Sequence, residues 1–229
     1  MKLLSSNQYE VLKAKLIEFH PRFYHFVKLL PENAKLLDLG CGRGLRLGFF
    51  RRLRPDIQCY GVDIVDQSSL LPPNIHFYMA DLNSEKLPFQ DASFDGVLLS
   101  HVLEHLENYD LLASEVFRVL KQGGLHYAEV PSIRSVFVPS FRCFGHEGNP
   151  FNFYDDITHK RPFTKKGLAS FIEKCNLRII KIGTARNPLK FLLSPLLILA
   201  GVIKRKRNWV TTAVWDMVGW AIYGIGKKD

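Results

Sequence analysis

Apolar and polar positions change period repeatedly along the chain, and the changes divide it into elements. Between Gln8 and Leu30, the residues Leu12, Leu16, Phe19, Phe23, Phe26 and Leu30 recur at near-helical spacing. This predicts an N-terminal helical segment over 1–30, broken or paired at Pro21, that packs on the body of the protein or lids a ligand. Short apolar runs then predict strands at Lys35–Leu39, Ile57–Asp63, Ile75–Met79, Phe94–Leu99 and Leu125–Val130, the last closed by Pro131. Between them, Leu45, Leu47, Phe49, Phe50 and Leu53 predict a helix ending near Pro55. A longer helix is expected from Leu103 to Leu120, turning Leu106, Leu111, Leu112, Val116, Val119 and Leu120 inward. The KQGG that follows supplies its stop, with Gly123 or Gly124 as the left-handed residue. Thr164–Cys175 reads as a further helix with Thr164 as N-cap, and Leu177–Gly183 as a sixth strand. Strands alternating with helices predict an open α/β sheet, whose ligands lie beyond the carboxyl ends of the strands.

One stretch stands out against this pattern. In LLDLGCGRG the first strand runs through the acid Asp38 and opens at once into Gly40, Cys41, Gly42 and Gly44 before a helix starts. Glycines suit such a turn because the backbone must take positive φ and let a ligand approach the main chain. A dinucleotide fingerprint would need a glycine where Leu45 stands, and a Walker loop would need a Gly-Lys-Ser/Thr ending. Asp63, ending the second strand, faces any ligand lying across that turn.

Two segments carry no strand or helix rhythm of the same kind. Ser132–Arg161, within 131–162, is rich in Phe, Gly, Pro, His and Asp, and a long structureless loop in a compact domain is usually functional. It follows the fifth strand, so it is read as the acceptor-binding segment. The stretch 184–218 is read as an insertion. Inside it Phe191–Ile203 is apolar apart from Ser194, and Lys204, Arg205, Lys206 and Arg207 follow directly. Thirteen residues cannot cross a bilayer as a helix, since roughly 20 are needed. A short apolar helix with a basic end can lie at an anionic membrane surface, and a core or dimer helix is the alternative.

Composition narrows the class. With 229 residues and 47% hydrophobic residues the chain can bury a proper core, which excludes global disorder. The net charge of +9 would suit nucleic acid, but the basic residues are scattered outside Arg51–Arg54 and Lys204–Arg207. DNA and RNA are therefore not the expected partners. Cys41, Cys59, Cys143 and Cys175 show no zinc spacing and read as reduced thiols, and the first residues lack a signal-peptide core. A cytoplasmic protein is expected.

DLGCGRG resembles the first motif of class I S-adenosylmethionine-dependent methyltransferases, and GVDI (Gly61–Ile64), ADLN (Ala80–Asn83) and FDGVLLSHVLEHL (Phe94–Leu106) resemble later motifs of that family in the right order. The resemblance implies a Rossmann-like, seven-stranded, mostly parallel sheet with helices on both faces, closed by WAIYGIGKK as strand seven, with the helical insertion between strands six and seven. It implies S-adenosylmethionine as cofactor, held by Asp38, Gly40, Cys41, Gly42, Gly44, Asp63, Ile64, Asp81, Leu82 and Ser100. The segment DDITHKRPFT resembles that preceding the last helix in methyltransferases acting on sugars, polyketides and lipid-linked intermediates. The expected activity is methylation, at oxygen, of a small or lipid-linked acceptor such as a sugar or a quinone-like ring. An RNA methyltransferase and a non-catalytic cofactor-binding protein are the alternatives. Proton removal falls to a histidine or carboxylate among His101, His105, His146, Asp155, Asp156 and His159, with His159 and His101 ranked first. Glu104 and His105 resemble part of the metal-binding helix start of quinone O-methyltransferases. The matching acid before them is here His101, so no metal is assigned.

Overall fold

A computed structural model describes residues 21–140 and 150–229. Helix α1 (Pro21–Lys28) is followed by β1 (Lys35–Leu39), α2 (Leu45–Leu53), β2 (Gln58–Asp63), β3 (Ile75–Met79) and β4 (Phe94–Ser100). Then come α3 (Asp110–Val119), β5 (Leu120–Pro131), α4 (Lys165–Lys174), β6 (Arg178–Ala185), α5 (Pro188–Ile203), α6 (Arg207–Val218) and β7 (Ala221–Lys227). The strands form one seven-stranded sheet in the order β3-β2-β1-β4-β5-β7-β6, parallel except for β7, which runs antiparallel to both of its neighbours.

Strand periodicity explains the layers. Successive side chains point to opposite faces, so Leu37, Leu39, Val97 and Leu99 join Leu112, Val116, Leu168 and Phe171 in one apolar cluster. Leu36, Leu98 and Tyr127 go the other way, to Phe26, Phe49, Phe50 and Trp220. A sheet covered on both faces in this way leaves only its strand ends for a ligand.

The expected helix over 103–120 is two elements. A single 3-10 turn at Leu103–His105 ends at an extended Leu106, and α3 starts only at Asp110, whose N–H is taken by the Asn108 side chain at 2.9 Å. The local Asn-to-backbone bond offers a fresh helix start, and the apolar spacing alone could not show that break. KQGG is likewise not a helix stop. The helix ends at Val119, the chain enters β5 at Leu120, and Gly123 takes φ +75° in an irregularity where its N–H donates to the Lys228 carbonyl at 2.8 Å. At α4 the Thr164 hydroxyl does accept from the Gly167 N–H at 3.0 Å.

The stretch between β6 and β7 is a helical hairpin. Asn187 caps α5 by accepting from the Leu189 and Lys190 N–H groups, and its own N–H donates to Asp216 on α6 at 2.7 Å. Ser194 donates to the Ala213 carbonyl across the pair, and Gly201 lets α6 approach, since a Cβ there would lie 2.8 Å from Val210. The opposite side of α5 is open, with Leu192, Leu196, Leu199, Val202 and Ile203 all more than half exposed. Among the described residues no helix is long and apolar enough to cross a membrane.

Candidate active site

The glycine turn is held from below by β2. The Gly40 and Cys41 N–H groups both donate to the Val62 carbonyl, and the Gly42 N–H donates to Asp63 Oδ2 at 2.8 Å. Gly40, Gly42 and Gly44 have φ of +73°, +50° and +64°. At Gly40 space is also decisive, because a Cβ would lie 2.3 Å from Val102. Cys41 is not a nucleophile: its side chain is buried against Gly61, and burial pushes its thiol up to about 12.

Above the turn lies a cleft of about 380 Å³. Gly40, Asp63, Ile64, Asp81 and Leu82 line it, together with His101, Val102, His105 and Leu106. Of the remaining expected cofactor residues, Asp38 and Ser100 are buried beneath the turn and the end of β4, and Cys41, Gly42 and Gly44 shape the turn itself. Asp81 is drawn into its own turn by the Asn83 N–H and the Ser84 hydroxyl, which keep its carboxyl below the usual range.

Asp38 carries the clearest sign of an absent cationic partner. Both of its carboxylate oxygens are buried and lack a hydrogen-bond partner among the described residues. Burial raises its pKa to about 7, against the pull of Arg46 and with the help of Asp63. An ammonium group placed there would supply the missing partner, and the Ser100 hydroxyl at the next strand end is also unpartnered among the described residues.

Around His101 the strand ends converge on a buried charge network. His101 takes φ +58°, a strained backbone position for a non-glycine residue. Its Nδ1 lies 3.1 Å from Glu104 and its Nε2 3.4 Å from Glu129. Burial works to lower its pKa, but the two carboxylates outweigh it and push it up to about 9. His101 is thus an imidazolium at neutral pH, with no lone pair to take a proton, which speaks against the base role expected of it. Glu129 also accepts two 2.6 Å bonds from Arg22, and Tyr127 donates to it at 2.5 Å. Burial alone would raise the Glu129 carboxyl, but Arg22 and His101 hold it well below its usual range. Arg22 and Glu129 lie 107 residues apart, and no spacing in the sequence announces the pair. A second cavity of about 160 Å³ shares His101 and is lined by Arg22, Glu129, Trp215 and Trp220, so the α6 arm of the hairpin reaches the site.

The loop after β5 folds back over this end. Asp155 is consumed by structure: it accepts from the Phe151 and Asn152 N–H groups and from the Ser140 hydroxyl. Asp156 accepts from the Thr158 N–H and hydroxyl, which outweigh burial and hold it low. The His159 side chain is only 4% exposed and sits behind His105 with ring centroids 4.8 Å apart, and it is not among the residues lining the cleft. His105 lines the cleft, and burial lowers its pKa. His146 and Cys143 lie outside the described residues.

A family model described as "Methyltransferase domain" matches residues 37–128. The chain is 29% identical over 174 residues to a ubiquinone biosynthesis O-methyltransferase of Bartonella tribocorum, covering 71% of this chain and 68% of that one. To a 2-methyl-6-phytyl-1,4-hydroquinone methyltransferase of Synechocystis it is 33% identical, covering 42% and 31%. Across such curated relatives the chain spans as little as 18% of their length. A solved S-adenosylmethionine-dependent methyltransferase of Archaeoglobus fulgidus shares the fold with a TM-score of 0.63 at 24% identity, covering 96% of this chain and 94% of that one. Residues 37–128 therefore match a methyltransferase domain, the chain has the fold of a solved S-adenosylmethionine-dependent methyltransferase, and the cofactor this implies is S-adenosylmethionine.

Asp63 offers a direct test of how that cofactor is held. Asp63→Ala removes the acceptor for the Gly42 N–H and the only acid at that end of β2. Charge-assisted bonds of this kind contribute about 1.5–3 kcal/mol each, so S-adenosylmethionine affinity in calorimetric titration should fall at least tenfold. Unchanged affinity would remove Asp63 from the cofactor site.

Proposed function

We propose that this chain transfers the methyl group of S-adenosylmethionine to an oxygen of a small or lipid-linked acceptor, of the sugar, quinone-like or polyketide-like kind. The observation that carries this reading is one continuous cleft running from the glycine turn and Asp63 to His105. The names of two relatives, a ubiquinone biosynthesis O-methyltransferase and a phytyl hydroquinone methyltransferase, support the quinone-like class.

The bound cofactor supplies an electrophilic methyl on a sulfonium: the acceptor oxygen forms the new C–O bond while the C–S pair stays on sulfur. The chain's own work is alignment, exclusion of water and removal of the hydroxyl proton. Asp63 takes the ribose end, Asp81 and Leu82 the adenine end, and Asp38 the ammonium. His105 takes the proton. Its Nδ1 lies 2.8 Å from the Thr158 hydroxyl oxygen, whose hydrogen goes to Asp156, so Nδ1 is the donor and Nε2 keeps the lone pair. His159 backs that ring. Incubating the protein with S-adenosylmethionine and a panel of catechols and hydroquinones should yield S-adenosylhomocysteine and O-methylated product in equal amounts. Absence of turnover together with cofactor binding would favour a non-catalytic protein, and tight, salt-dependent RNA binding would favour an RNA substrate.

The hairpin adds a peripheral membrane contact to this reading. Its exposed leucines on α5, the exposed cluster Lys204–Arg207 and the 42% exposed Trp209 are what an interfacial helix presents to anionic lipid. Each basic residue near such a surface adds about 1 kcal/mol. Flotation with phosphatidylserine vesicles should show binding that falls with salt and with replacement of Lys204–Arg207 by Gln. Protein that stays unbound at low salt would show that the apolar face serves self-association instead.

A further inference from the structure

We infer that the second cavity, between α1, α6 and the start of β7, is the seat for a carboxylate carried by the methyl acceptor, which makes that acceptor an aromatic acid. The cavity holds about 160 Å³, and a void of about 150 Å³ takes a benzene ring. Phe23, Trp215 and Trp220 give it aromatic walls, and Arg22, Arg46 and the imidazolium of His101 give it positive charge.

Two buried donors in that lining have nothing to donate to. The Arg22 side chain is 6% exposed; its Nε and Nη2 both donate to Glu129, and Nη1 has no partner among the described residues. Trp215 Nε1 is buried and lacks one as well, although Trp220, stacked on it with centroids 4.4 Å apart, donates its own N–H to the Phe151 carbonyl at 2.9 Å. Buried donors in folded proteins are nearly always paired, so two left over in one cavity imply a ligand that accepts. Both are held in place before it arrives, the guanidinium by Glu129 and the indole by its stack.

The charges select a monoanion. Glu129 and Asp216 are the acids of the lining, and Glu129 is already matched by Arg22 and His101. Asp216 Oδ1 accepts from the Asn187 N–H, and burial raises its carboxyl against the pull of that bond and of Lys190, Arg22 and Arg186. Three cations against these two acids leave room for one negative charge, and a planar carboxylate can take a guanidinium N–H and an indole N–H together. The cavity is not an extension of the cofactor's seat. His101 is the one residue it shares with the lining of the cleft, and Gly40, Asp63, Asp81 and Leu82 do not reach it. An acceptor passing His101 keeps its hydroxyl in the cleft and its carboxylate here. This inference rests on the methyl-transfer reading for the fate of the hydroxyl, but not for whether the acid binds.

With S-adenosylhomocysteine present, 3,4-dihydroxybenzoate should bind about tenfold more tightly, or better, than its neutral isostere 3,4-dihydroxybenzamide in calorimetric titration, and kcat/KM should favour the acid by a similar factor. Trp215→Phe keeps the stacked ring and removes the N–H, so both ratios should fall by about threefold or more. Its S-adenosylmethionine affinity should match that of the wild type, which also reports that the variant is folded. Arg22→Lys keeps a charge opposite Glu129 without Nη1 and should lower the ratios in the same direction. Equal binding of acid and amide by the wild type, or ratios that Trp215→Phe leaves as they are, would overturn the subsite. A loss of S-adenosylmethionine affinity in folded Trp215→Phe as large as the loss for the acid would overturn it too, by giving the cavity to the cofactor. Preferred binding of the acid with no methyl transfer would overturn the function and leave the subsite standing, whereas equal transfer to acid and amide would do the reverse.

Discussion

Arg22→Met should destabilise the protein by about 3–5 kcal/mol in denaturant unfolding, because it strips a bidentate guanidinium from a carboxylate that cannot reach water. The side chains of Arg22 and Glu129 are 6% and 4% exposed, and the pair is bidentate. Methionine replaces the volume but leaves Glu129 with His101 and the Tyr127 hydroxyl against a full negative charge. For a domain whose total stability is about 5–15 kcal/mol, that loss would be visible as a large drop in the unfolding midpoint. Glu129→Gln in the same chain should recover part of it, since the second change removes the uncompensated charge. The sign with pH follows from the depressed folded pKa of Glu129. Its pairing stabilises the wild type above the carboxylate range, so the deficit of the variant is full at neutral pH and shrinks as acid protonates the group. An unfolding midpoint unchanged at neutral pH would mean that the pair contributes no net stability.

The same residue shows where the sequence stops being legible. Strands β1 and β3 are bounded as the apolar runs predict, and the glycine turn and Asp63 meet where the motif order puts them. These are local signals, set by period two and by positive φ. Arg22 was legible only as a polar position beside Phe23 on a helix, because its partner is joined by sheet topology across 107 residues. The long helix expected over 103–120 failed for a related reason. Leu103, Leu106 and Leu112 do all point inward, but an inward leucine on a 3-10 turn and one on an α-helix leave the same mark in the sequence. That break matters for the site, since it lets Glu104 and His105 turn toward the loop instead of continuing along α3. His159, ranked above His105 from the sequence, packs behind His105 and against Phe153, and a loop histidine's burial depends on which ring it packs behind, which no spacing states.

His105→Gln should lower the rate of S-adenosylhomocysteine formation at saturating cofactor by about a hundredfold or more, with S-adenosylmethionine affinity nearly intact. Glutamine approximates the volume and can still hydrogen-bond Thr158, so the change removes the lone pair with little disturbance of the loop. The ring lines the cleft and is hydrogen-bonded to Thr158, not to Asp63 or Asp81, which is why binding and turnover should separate. Burial lowers the pKa of His105, so the wild type holds it neutral at neutral pH and loses turnover only as acid protonates it. In the variant that acidic limb should vanish along with the rate. His101 cannot substitute, because its two carboxylate partners keep it protonated up to about 9. A variant that turns over within threefold of the wild type would show that the acceptor loses its proton to solvent or needs to lose none, leaving alignment as the chain's whole contribution.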